Sequence, residues 1–133
     1  MKRIKGLIVL MMISLSLFGL CSCGNTPQNT PTYTQISAAE AKEMMKPQKD
    51  YGIIAARTEE EFAEGHIEGA ILIPEYEILA KAEAYIPDKD TLVLVYCRSG
   101  RRSKIASENL IKLGYTNVYE FGGIIDWPYE IVK

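Results

Sequence analysis

The run Thr91-Leu92-Val93-Leu94-Val95-Tyr96 is apolar and largely β-branched, and a segment with helical spacing at Ala106, Leu110 and Leu113 follows it after a short polar turn. A strand that is apolar on both sides is buried on both faces, which implies a parallel sheet covered by helices. The rest of the chain alternates in the same way. Ser37-Ala38-Ala39-Glu40 is a capping box that opens a helix to about Lys46, and Ile53 to Ala56 is a short buried strand. Thr58-Glu59-Glu60-Glu61 reads as a second capping box on a brief helix. Ala70 to Ile73 reads as a strand stopped by Pro74, Glu75 to Tyr85 as a helix, Ser103 to Leu113 as another, and Val118 to Phe121 as the last strand. The expectation is one α/β domain, three layers deep, with a mainly parallel sheet.

Between the central strand and its helix lies Cys97-Arg98-Ser99-Gly100-Arg101-Arg102. Sheets of this kind bind ligands beyond the carboxyl ends of their strands, and a strand-loop-helix turn aims amides and a helix N-terminus at an anion. A cysteine placed there, with arginines close by, is set to ionise below about 8.5. The alternative is a small core cysteine, since free cysteine is often buried. Three neighbouring cations speak against that. Gly100 suits a tight turn with close backbone approach.

The N-terminus reads as an address. Lys2, Arg3 and Lys5 precede an apolar stretch from Gly6 to Leu20, and Leu20-Cys21-Ser22-Cys23 resembles a bacterial lipobox in which Cys23 takes the lipid. A membrane span would need roughly 17 to 25 apolar residues, more than this stretch provides. Residues 1–22 are thus expected to be a lipoprotein signal peptide, 23–35 a polar spacer, and 36–133 the folded domain. That places the protein in the bacterial cell envelope, lipid-anchored on the extracytoplasmic side of the membrane. With Cys21 removed and Cys23 acylated, Cys97 is left as a free thiol with no internal disulfide. His66 is the sole histidine, so no metal set is expected. The chain carries a net charge of −2, and loss of the leader's three cations makes the remainder more acidic. Nucleic acid is therefore not an expected partner. The sequence does not define the oligomeric state.

Cys97 through Ser103 resembles the active-site loop of the single-domain rhodanese sulfurtransferases. Arg57-Thr58-Glu59-Glu60-Glu61-Phe62, then Gly65-His66-Ile67-Glu68-Gly69-Ala70, resemble the family's R-x-x-E-E-F and G-H-I-x-G-A signatures. Phe121-Gly122-Gly123-Ile124 with Trp127 resembles its closing segment. The resemblance implies a rhodanese-like fold and sulfur transfer through a persulfide on Cys97, without a cofactor. It also implies a small anionic donor such as thiosulfate or a persulfide, and a thiol or cyanide acceptor. Arg98, Ser99, Gly100, Arg101, Arg102 and Ser103 would then line the donor site. Arg102, read as lying just before the helix, would be the direct contact to the donor's charged end, and Arg57 a structural arginine.

Two other readings stand beside this one. Thiolate phosphatases and arsenate reductases place an arginine six positions after cysteine, where this chain has Ser103, and the resemblance implies sulfur chemistry, since six residues is the loop size that the rhodanese family associates with sulfur. A catalytically weak sulfur-binding or sensory module is the second alternative. It is motivated by Ala55-Ala56-Arg57, where the family usually has Asp-Val-Arg. A carboxylate at position 55 is expected to lie near the active loop, and its loss to leave donors there, or an arginine, unpaired.

Overall fold

In a computed structural model that describes residues 30–47 and 49–133, five parallel strands form one sheet. They are β1 (Thr34–Gln35), β2 (Tyr51–Ala55), β3 (Ala70–Leu72), β4 (Leu92–Cys97) and β5 (Val118–Gly123), in the order β1-β5-β4-β2-β3. Four helices connect them: α1 (Ala38–Met44), α2 (Glu59–Glu64), α3 (Ile78–Tyr85) and α4 (Arg101–Lys112).

The period of two in the strands decides what faces what. Ile53, Ala55, Leu94, Tyr96 and Phe121 pack with Ala41, Phe62 and Trp127 on the α1–α2 side. Ile54, Ala56, Val93, Val95, Cys97 and Val118 pack with Ile78, Ala82, Ala106 and Leu110 on the α3–α4 side. Both faces of β4 are therefore core, as its uninterrupted apolar run requires. Burying each large aliphatic side chain contributes about 1.5–3 kcal/mol before entropy is counted.

Several boundaries differ from the sequence expectation, each for a local reason. Ser37 and Glu40 do form a reciprocal capping box, but α1 ends at Met44. Thr58 caps α2 by accepting from the Glu61 amide, yet no second box closes, because the Glu61 carboxylate is drawn to arginines instead. The stretch after Pro74 starts with a 3-10 turn over Glu75–Glu77, and the α-helix proper begins only at Ile78. Thr34 and Gln35, whose polarity suggested a spacer, pair with Tyr119 and Glu120 as an edge strand. The helix expected from Ser103 begins two residues earlier, at Arg101, because Gly100 at φ +104° turns the chain directly into it.

Candidate active site

Cys97 is the last residue of β4, and α4 begins four residues later. The sulfur is wholly buried, yet it has polar company. The Gly100 N–H donates to Cys97 Sγ at 2.9 Å, and Ser103 Oγ lies 3.5 Å from the same atom. Burial raises the cost of a charge on sulfur. The contacts with Ser103 and the amides of Gly100 and Ser99 outweigh it, so the Cys97 thiol ionises below its usual range. Cys97 thus combines the burial of a core cysteine with contacts that favour its anion.

The loop rests on glycine. A Cβ at Gly123 would stand 2.6 Å from Ser99 Cα, so β5 can approach the loop this closely only without a side chain there. The Ile125 N–H fixes the Arg98 carbonyl at 3.3 Å from the same direction. Beneath the loop, Ser103 Oγ donates to Glu120 Oε1 at 2.6 Å, and Gly122 N–H donates to that same oxygen at 2.8 Å.

The three loop arginines separate. Arg98 and Arg101 are exposed. Arg102, expected just before the helix with its charge aimed at a donor, instead lies in the first turn of α4 and holds both Glu61 oxygens, at 2.7 and 3.1 Å. Burial opposes the Arg102 charge, but Glu61 and then Cys97 more than compensate and stabilise it. Arg57 is buried, as the structural reading implied, and its Nη1 donates to the Gly65 carbonyl. Its Nε is the one buried side-chain polar atom among the described residues without a hydrogen bond, although it lies 3.5 Å from Glu61 Oε2.

Ala55 ends β2 and pairs with Tyr96, the residue before Cys97, so position 55 lies near the active loop. Its side chain joins the α1–α2 cluster whereas Cys97 joins the α3–α4 cluster. A carboxylate there would face the Arg57 side of the sheet. His66 stacks on Phe62 with ring centroids 3.7 Å apart and sets Nδ1 2.9 Å from the Phe62 carbonyl, which gives it a structural task. Cys23 lies outside the described residues.

Two carboxylates went unassigned in the sequence. Glu61 looked like a capping residue. Glu120 carries a signal in retrospect, since it stands two residues from Val118 on the face that must be buried.

A family profile described as "Rhodanese-like domain" matches residues 37–128. The chain belongs to the rhodanese-like family. The thiosulfate sulfurtransferase PspE of Escherichia coli is 41% identical over 80 residues, covering 60% of this chain and 77% of PspE. The thiosulfate sulfurtransferase GlpE of Coxiella burnetii is 35% identical over 98 residues, covering 71% and 87%. Among solved structures, a rhodanese-related protein from Thermoplasma volcanium superimposes with a TM-score of 0.64 at 34% identity, covering 75% of this chain and 98% of that one. The five-stranded parallel sheet of this rhodanese-like domain is thus the family's fold, and its relatives support sulfurtransferase function.

Proposed function

We propose that the protein moves sulfane sulfur by double displacement through Cys97. The observation that carries this reading is the Sγ atom at the end of β4, activated by loop amides rather than by a base. The thiolate attacks the outer sulfur of thiosulfate or a low-molecular-weight persulfide. The donor's S–S bond breaks, its electron pair leaves with sulfite or thiolate, and Cys97 becomes a persulfide. A thiol or cyanide then removes the outer sulfur and regenerates Cys97. Arg98 and Arg101, exposed at the loop, draw in an anionic donor, while the backbone amides of Ser99, Gly100 and Ser103 hold sulfur charge by hydrogen bonds. Arg102 serves by fastening the loop's helix. The work is done in the bacterial envelope, with Cys23 as lipid anchor.

Intact mass of the protein before and after thiosulfate tests the reading: one sulfur, about 32 Da, should add at Cys97 and come off with cyanide or dithiothreitol. Absence of an adduct with every sulfane donor would overturn it. A single loading without turnover would favour the sulfur-binding module.

A further inference from the structure

Glu120 is a buried carboxylate on the α3–α4 face of β5, where its neighbour at the same spacing is Val118. No ion pair among the described residues includes it. Oε1 accepts the Ser103 hydroxyl at 2.6 Å, and Ser103 Oγ stands 3.5 Å from Cys97 Sγ. A hydroxyl has one proton to give. With that proton on the Glu120 oxygen, Ser103 offers sulfur only lone pairs, which receive a thiol S–H and repel a thiolate. The Gly100 amide has no such alternative acceptor, so its support for the sulfur anion is fixed.

We propose that Glu120 is a positioning residue which, through Ser103, keeps negative charge off Cys97 Sγ and so favours the sulfur-loaded cysteine over the free thiolate. The inference rests on the sulfur-transfer reading above. On loading from thiosulfate, the Sγ lone pair forms the new S–S bond and sulfite departs with the electrons of the old one. Net charge on the protein is unchanged, but it moves from Sγ to the outer sulfur, one bond further from Glu120. A fixed carboxylate behind Sγ opposes the first arrangement more than the second.

The other groups facing Glu120 do not supply a competing charge at hydrogen-bond range. Tyr33 has a phenol whose ionisation is opposed by burial, then by Glu108 and Glu120. Ser107 commits its hydroxyl to the Ser103 carbonyl at 2.7 Å. Gln35 on β1 and Val95 on β4 are its uncharged register partners. On α4, Arg101, Lys104 and Glu108 are exposed, and Arg102 is held by Glu61.

Glu120→Gln keeps the shape and an acceptor while removing the charge. The rate of Cys97 alkylation by iodoacetamide, followed against pH, should show a midpoint lower by about one unit than in the parent protein. The sulfite concentration that strips sulfur from half of the loaded protein should fall by about tenfold. A midpoint that stays or rises overturns the proposal, since loss of loop order alone raises it. Should Glu120→Gln not fold, Glu120→Asp, which withdraws the carboxylate by one methylene, must shift the midpoint downward too. Alkylation needs no sulfur donor. If the parent protein takes up no sulfur, the sulfur-transfer reading fails and the loaded-state half of the proposal with it, while the alkylation midpoint still decides whether Glu120 sets the charge on Sγ.

Discussion

Arg102 and Glu61 join across the edge of the sheet: the guanidinium is on α4, the carboxylate on α2, and the two helices cover opposite faces. Their two-oxygen contact straps the layers together beside the Cys97 loop. The first prediction follows from the charge on Glu61. Partial burial opposes that charge, but Arg102 first and then Arg57 outweigh it, so the folded-state pKa lies below the unfolded value. The resulting stability is fully present above about 4.3, the unfolded glutamate value, and is lost as pH falls through the lower folded value. Glu61→Gln should therefore cost about 1–3 kcal/mol at pH 7 and less in acid. Urea unfolding at the two pH values checks it, and an equal cost at both would remove the ion pair from the account.

Cys97 should alkylate with a midpoint below about 8.5, because hydrogen-bonded amides favour its anion. Cys97→Ser should abolish sulfur loading. Its stability loss should stay near 1 kcal/mol, since the hydroxyl inherits the Gly100 N–H in a site that is otherwise core. Thermal unfolding of the two proteins measures this. A loss above about 3 kcal/mol, the range of large core deletions, would mark the residue as structural first.

Gly123→Ala should displace the loop, because the added methyl meets the backbone of Arg98 and Ser99 rather than a movable side chain end. We expect a fall in Cys97 loading rate of at least tenfold with the sheet intact by circular dichroism. Parent-like loading would show that the loop yields without consequence.

Ala55→Asp tests the face assignment. The new carboxylate would lie opposite Cys97, on the side of Arg57 and its unpartnered Nε. The Cys97 alkylation midpoint should move by less than about 0.3 unit, well under what a direct charge contact gives. In an Arg57→Ala background the same substitution should cost about 1–3 kcal/mol more stability than it does with Arg57 present. Denaturant unfolding of the four proteins gives that coupling, and additive effects would rule out the contact.

The alternation of strands and helices was readable because β2 and β4 bury both faces and so carry apolar runs. Cys97 was readable because strand, glycine and helix surround it within a few residues. What the chain's order concealed is long-range pairing. Arg102 meets a carboxylate 41 positions away, and Ser103 meets one 17 positions away. Both hydrogen-bond partners lie on separate elements, and no local periodicity registers that. Thr34 and Gln35 escaped for a related reason, since an exposed edge strand needs only backbone pairing and leaves polar side chains free to look like a tether.

Under the proposed sulfur transfer, the covered position of Sγ would make the site a sieve that works differently in its two states. Unloaded, a sulfur with no exposed surface favours slim reagents over bulky disulfides. Loaded, the reactive atom would lie about 2 Å beyond Sγ, within reach of a broader acceptor. On that mechanism, a direction of traffic follows from the depth of a single side chain.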